Sequence, residues 1–250
     1  SDMIEVAGLS KAFGDKEVLK DISVTFDAGK TNLIIGASGS GKSTLARCLI
    51  GLVDPDTGTV LYDGRNFIEM NMKERKMIRR EVGFLFQGSA LFDFMTVEQN
   101  VQFPLDMLTS MTAKEKVVRV AEVLERVELS HAGKLFPGEL SGGMKKRVGI
   151  ARAISPNPTY LFCDEPNSGL DPQTSIVIDK LIHEITLEYN TTTVIITHDM
   201  NSVIDIGDHI LFIHNGRKSW EGDKVSILET ENKEVLDFVY ASEFMKKARK

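Results

Sequence analysis

Apolar residues along this chain follow two rhythms, and the rhythm changes twice. Up to about residue 87 it is strand-like. Residues 4–6 and 18–26 alternate, broken by turn residues at Gly14-Asp15 and Asp27-Ala28-Gly29. Thr31-Asn32-Leu33-Ile34-Ile35 reads as a buried strand, and residues 44–50 read as the helix after it. Val60-Leu61-Tyr62 before Asp63-Gly64 is another strand and turn. Val82-Gly83-Phe84-Leu85-Phe86 has the continuous apolar character of a strand buried on both faces. From about 88 to 156 the pattern turns helical. Thr96-Val97-Glu98-Gln99 and Thr112-Ala113-Lys114-Glu115 both have the form of capping boxes. After the second, Val117, Val120, Ala121, Leu124 and Val127 recur at helical spacing. The last third alternates again. Short apolar strands at 160–163 and 193–196 flank a helix over 173–189, the spacing of a βαβ unit and a parallel sheet. Residues 209–220 read as a hairpin around Asn215-Gly216.

The implied architecture is α/β, with a mainly parallel sheet, an antiparallel β portion and an inserted helical lobe. A single domain of 250 residues is expected, with 1–87 and 157–250 forming the α/β core and 88–156 the helical part. A hydrophobic content of 42% allows a sizeable core, and a net charge of −6 argues against a nucleic-acid binder. Cys48 and Cys163 sit in apolar surroundings and read as core residues of a reducing compartment, with no disulfide. No apolar run nears the roughly 20 residues that span a bilayer. No N-terminal signal sequence is legible, and Met3 reads as the natural start after Ser1-Asp2. The expected location is the cytoplasm. Lys73, Arg75, Lys76, Arg79 and Arg80 alternate with Glu74 and Glu81 as on a solvated helix face, and Lys246, Lys247, Arg249 and Lys250 read as a frayed basic end.

The strongest chemical signal is Gly36-Ala37-Ser38-Gly39-Ser40-Gly41-Lys42-Ser43, which fits the phosphate-binding pattern G-x-x-x-x-G-K-[ST] between a strand and a helix. Glycines let the backbone curl so that several N–H groups face one phosphate chain, and a helix N-terminus adds partial positive charge. Lys42 can reach the β- and γ-phosphates, and the Ser43 hydroxyl can ligate Mg²⁺. Residues 160–163 then deliver Asp164 and Glu165 to a strand end, where ligands sit in parallel sheets. Asp164 can hold Mg²⁺, and Glu165 can take a proton from an attacking water. Leu140-Ser141-Gly142-Gly143-Met144 opens a helix; Ser141 suits the cap and the glycines leave N–H groups uncovered. Alone it would be an ordinary Ser-Gly cap. His198, after a strand, would alone be structural.

Taken together these stretches resemble the nucleotide-binding subunits of ABC transporters over nearly the whole chain. Residues 36–43 match the family's Walker A loop, 160–164 its Walker B strand and 140–144 its signature. Gln87 falls at the Q-loop, Ser168-Gly169-Leu170-Asp171 at the D-loop, His198 at the H-loop and Phe13 where an aromatic ring stacks on adenine. The resemblance implies an ATPase that uses ATP and Mg²⁺. The nucleotide would be held by Phe13, Gly36, Ser38, Gly39, Ser40, Gly41, Lys42, Ser43 and Thr44, and by Ser141, Gly142 and Gly143 of a second copy in a head-to-tail homodimer. Ser43, Gln87 and Asp164 would serve the metal, and Glu165, His198 and Gln87 the hydrolysis. One departure stands out: Met144 occupies a position most often Gln in the family. Residues 87–101 with Phe103-Pro104-Leu105 more narrowly resemble the ATPases of bacterial Mla/MCE-type lipid transport systems. That implies phospholipid cargo, a membrane permease docking near 91–95, an MCE-type lipid-binding partner and a place on the cytoplasmic face of the inner membrane. The alternative is the ATPase of a generic small-solute importer.

Overall fold

The structure is a computed structural model that describes residues 2–248, with side chains described as far as Ser242. The basic end at Lys246, Lys247, Arg249 and Lys250 lies outside the described side chains. The chain opens with β1 (Ile4–Phe13) and β2 (Lys16–Phe26), joined at Gly14-Asp15. β3 (Thr31–Ile35) is buried along its whole length and leads to α1 (Lys42–Leu49). Then come β4 (Thr57–Tyr62), β5 (Arg65–Asn66), α2 (Met72–Arg80) and β6 (Val82–Leu85). α3 (Val97–Leu108), α4 (Ala113–Arg126) and α5 (Gly142–Ile154) follow with no strand between them. β7 (Tyr160–Asp164), α6 (Pro172–Tyr189), β8 (Thr192–Ile196) and α7 (Met200–Ile206) restore the alternation. The hairpin β9 (His209–His214) and β10 (Arg217–Gly222) precedes α8 (Lys233–Ala248).

Two sheets result. The larger has the order β10-β9-β3-β8-β7-β6 and is parallel except for its β9–β10 pair. The smaller, β2-β1-β4-β5, is antiparallel throughout. Successive strand side chains point to opposite faces, so the larger sheet divides two cores. Leu33, Ile35, Leu161, Cys163 and Ile195 face one core, shared with α3, α4, α5 and α6. Ile34, Tyr160, Phe162, Val194 and Ile196 face the other, shared with the smaller sheet and α1.

The elements follow from sequence signals with two corrections. Both expected capping boxes form, Thr96 with Gln99 and Thr112 with Glu115. The Asn215-Gly216 turn joins β9 and β10, with φ 50° and 77° at its two residues. β6, however, is not buried on both faces. It is the edge strand of its sheet, Val82 and Phe84 are half-buried, and Phe86 beyond its end is exposed. The buried stripe of α4 is Val120, Val123, Leu124 and Val127, while Val117 and Ala121 face solvent. Valine and alanine at 117 and 121 satisfy the spacing but lie at the exposed edge of the stripe.

The parallel strands set the place of the chemistry. β3, β7 and β8 are neighbours running the same way, so the residues after their C-terminal ends come together: the 36–43 loop, Glu165 and His198. That is where open parallel sheets bind ligands.

Candidate nucleotide site

The 36–43 loop leaves β3 and becomes α1 at Lys42, two residues before the helix start read from sequence. Its glycines are forced by packing. A Cβ on Gly36 (φ 152°) would stand 2.4 Å from the Ile213 carbonyl oxygen, and one on Gly41 (φ 111°) 2.9 Å from that of Val18. The loop is thus pressed against β9 and β2. Ser40 is buried with its hydroxyl unpartnered, while Ser38, Gly39 and Ser43 are exposed and Thr44 is half-buried. Lys42 is 8% exposed, and its ammonium donates to the Gly36 carbonyl at 2.7 Å. The loop therefore curls over its own lysine.

The carboxylates stand opposite. Glu165 Oε1 lies 3.9 Å from Lys42 Nζ and 3.0 Å from His198 Nδ1. Glu165 adopts φ 45°, a left-handed conformation that L-residues avoid, and its N–H donates to the Ile196 carbonyl at 2.8 Å. The chain thus turns sharply at the end of β7 and aims the carboxylate back over β8. Burial pushes the Asp164 carboxyl above its ordinary value, helped by the charge of Glu165 and opposed by Arg47, Lys42 and Lys146. Burial likewise lowers the Lys42 ammonium, against the pull of Glu165 and Asp164. Two acids and a lysine are held together in a partly desolvated cleft, a setting in which a further cation is favourable.

Gln87 joins this group: its amide donates to Ser168 Oγ at 3.2 Å. Phe13 is 51% exposed at the end of β1, with Lys11 Nζ 5.3 Å from its ring centroid. Asp56 receives the Ala12 N–H at 2.7 Å and the Lys11 ammonium at 3.3 Å, which fixes this strand end. Ser141 caps α5, accepting the Met144 N–H at 3.2 Å, and Ser141 and Gly142 are exposed. Gly143 is packed so closely on α6 that a Cβ would meet Thr174 Cγ2 at 2.8 Å. No hydrogen bond or ion pair among the described residues joins residues 141–143 to the 36–43 loop. The structure therefore brings Lys42, Gln87, Asp164, Glu165, Ser168 and His198 together, and leaves Ser141, Gly142 and Gly143 on a separate surface.

Sequence reading missed a support beneath the site. Asn167 donates to Asp179 at 2.9 Å and to Ser202 at 2.7 Å, and Ser202 Oγ donates to Asp179 at 2.7 Å. Burial raises the Asp179 carboxyl to about 6, against the two hydrogen bonds that lower it. This network ties the turn holding Ser168 to α6 and to α7, which begins two residues after His198. Its signal in sequence was a lone acid inside the apolar stripe of Ile178, Leu181, Ile182 and Ile185.

Comparison with known proteins decides the family. The family described as ABC transporter matches residues 19–168. The chain belongs to the ABC transporter family. It is 38% identical over 236 residues to the probable ribonucleotide transport ATP-binding protein mkl of Mycobacterium leprae, covering 94% of this chain and 68% of that one. It is 44% identical over 223 residues to the methionine import ATP-binding protein MetN of Caulobacter vibrioides, covering 88% and 67%. The chain thus spans about two thirds of the length of such relatives. Among solved structures it resembles the dimeric ATP-binding cassette MJ0796 in a post-hydrolysis state bound to ADP and Pi (TM-score 0.79, 31% identity, 88% and 98% covered). It also resembles CbiO1 of Clostridium perfringens, part of the transporter complex CbiONQ (TM-score 0.85, 29% identity, 97% and 98% covered).

The fold is that of an ABC ATPase, and the chain is an ATPase of this class using ATP and Mg²⁺. The residues present fit both groups. The unpartnered buried hydroxyl of Ser40 and the Cβ-free curl at Gly36 and Gly41 suit a phosphate chain. Ser43 and Asp164 offer the hard oxygen ligands that Mg²⁺ takes beside phosphate.

Proposed function

We propose that this ATPase powers lipid transport, with phospholipid as the cargo class, through a membrane permease. Glu165 is the general base, and His198 at 3.0 Å orients its carboxylate. That one contact carries the hydrolytic reading, because a base needs a partner that fixes its direction. Lys42 and the N–H groups of residues 38–44 would hold the phosphates, Ser43, Asp164 and Gln87 would serve Mg²⁺, and Phe13 would stack on the base. Mg²⁺, when bound, neutralises phosphate charge. Ser141, Gly142 and Gly143 would meet the nucleotide of a second copy in a head-to-tail pair. MJ0796 is dimeric and CbiO1 belongs to a transporter complex, which supports both the pairing and the permease.

No helix among the described residues is long and apolar enough to cross a membrane. In this reading the chain sits on the cytoplasmic face of the inner membrane by docking to the permease. Phe94, 75% exposed beside Phe92 and close in sequence to Gln87, is the apolar surface for that. Buried Asn100 braces it, bonding the Phe92 N–H and the carbonyls of Phe92, Met95 and Thr96. An MCE-type lipid-binding protein would complete the complex. A second reading, a small-solute importer, is favoured by the 44% identity to MetN. The two separate on the intact complex purified from membranes and reconstituted in vesicles. Phospholipid bound to the complex and stoichiometric with it, with ATPase activity indifferent to methionine, supports lipid cargo. Stimulation by methionine with no bound lipid overturns it.

A further inference from the structure

Helix α5 does more than present Ser141. Along one side it carries Lys146, Gly149 and Arg152, each three residues from the next, so that neighbouring positions lie on adjoining parts of the helix surface. Lys146 is only 4% exposed, and its ammonium donates to the Gln87 carbonyl. Arg152 donates to the Ala90 carbonyl at 2.9 Å and to the Ser89 carbonyl. Between them, a Cβ on Gly149 would stand 2.6 Å from Leu85 Cδ1 and 3.4 Å from Ser89 Cβ. One face of one helix thus grips one stretch of chain, residues 85–90.

Past Leu85, the end of β6, that stretch has no regular structure to hold it. Ser89 and Ala90 are successive left-handed residues, φ 63° and 48°, a conformation that needs outside support. Toward α5 the turn gives three carbonyls to two cations, Lys146 buried and Arg152 half-buried. Toward the sheet it continues into β6, paired with β7 at Leu85 and Cys163, and its Gln87 side chain makes one neutral bond, to Ser168 at 3.2 Å. Charge-assisted hydrogen bonds are roughly twice as strong as neutral ones. The contacts from α5 are therefore the stronger side-chain hold on the turn. Burial pushes the Lys146 ammonium down, against the nearby charges of Asp164 and Glu165.

We infer that Lys146 and Arg152 are positioning residues that lock the turn carrying Gln87 to the helix presenting Ser141. This rests on the reading of Gln87 as part of the nucleotide machinery. Its consequence is that the placement of the Gln87 side chain depends on contacts from α5.

The test uses the full chain and two measurements. Lys146→Met removes the donor and keeps the stem. Amide hydrogen exchange in residues 85–92 should then speed at least tenfold, while β3 and α6 keep their protection. Turnover should fall at least tenfold with affinity for a fluorescent ATP analogue within threefold of the parent. Lys146→Arg, which keeps a charged donor, should restore most of both. A merely structural lysine would lower the melting temperature without this local pattern or this rescue. Unchanged exchange at 85–92, or lost protection with unchanged turnover, overturns the lock. Should Lys146→Met not fold, Arg152→Lys gives the same readouts at the other end of the grip. The exchange measurement needs no catalysis, so it judges the lock even if Glu165 proves not to be the base.

Discussion

Two helix N-termini in this protein follow glycine-bearing turns, and they are finished differently. The start of α1 is enclosed. Its loop is pressed onto β2 and β9, its lysine is buried, and Glu165 stands across from it. The start of α5 is open. Ser141 and Gly142 are exposed, and the serine hydroxyl is engaged only with the Met144 N–H of its own cap. Both offer uncovered N–H groups and a helix dipole. Only the first also has charge, enclosure and a second wall. A helix N-terminus by itself binds an anion weakly, and what differs is the surroundings. In the enclosed half the surroundings come from the same chain. In the open half, under the head-to-tail pairing proposed above, they would come from a second copy.

The sharpest way to break this contrast is to disable the enclosed half at its base. Glu165→Gln keeps size and the contact to His198 but cannot accept a proton as a carboxylate does. Phosphate release should fall by about a hundredfold or more. ATP binding should stay within threefold, since Lys42 and the loop are untouched. Turnover within fivefold of the parent would remove Glu165 from the mechanism.

A mixing experiment then asks whether a second copy finishes the open half. Lys42→Ala removes the buried cation, and Ser141→Arg fills the open surface; each variant alone should lose at least about tenfold in turnover. In a head-to-tail pair of the two variants, one site carries both changes and the other carries neither. Random pairing makes half of the dimers mixed, so an equal mixture should recover roughly a quarter of parental activity if sites act independently. Recovery no greater than the mean of the two variants alone would mean that Ser141 does not complete a site on a partner.

The support beneath the enclosed half gives a smaller, pH-dependent effect. Asp179 has a raised carboxyl, about 6 against an ordinary value near 4. The native state therefore keeps its proton where the unfolded state has lost it. Stability from this group is full below about pH 4 and declines as pH rises towards 6, by on the order of 2 kcal/mol. Asp179→Asn should flatten that part of the stability curve in chemical denaturation between pH 4 and 6. An identical slope in the variant would show that burial does not hold the proton there.

How legible all this was in sequence follows the same division. The 36–43 loop, β7 with its two acids, and the hairpin at Asn215-Gly216 were readable because local geometry dictates residue type: φ values only glycine tolerates well, a buried strand, a two-residue turn. The capping boxes were readable for the same reason. The edge position of β6 was not, because Val82 to Phe86 looks the same whether one neighbour strand or two lie beside it. The α4 stripe was misjudged because Val117 and Ala121 fit the helical period yet meet nothing. The Asn167–Asp179–Ser202 network and the grip of Arg152 on Ser89 and Ala90 join residues up to 63 positions apart, and no local rule relates them. In sequence Lys146 is one of three basic residues in a row, Lys145-Lys146-Arg147, and nothing local sets it apart from its neighbours.

Met144 offers the finest test of the open half. The family resemblance makes this position most often Gln, which would put a polar side chain beside the phosphate-facing glycines. Here Met144 is half-buried and packs against the core shared by the helices, and its backbone N–H, not its side chain, meets Ser141. If the open half works through backbone N–H groups and the Ser141 hydroxyl, the thioether is packing and nothing more. Met144→Gln keeps side-chain length and the same backbone N–H, and an exposed edge lets the amide reach water. Turnover should therefore stay within about twofold, with a loss of no more than about 1 kcal/mol in stability, the range of shape-conserving exchanges at partly buried positions. A fall of tenfold or more in a variant that melts like the parent would mean that the sulfur side chain itself contributes to the site, and that the open half is not a backbone device.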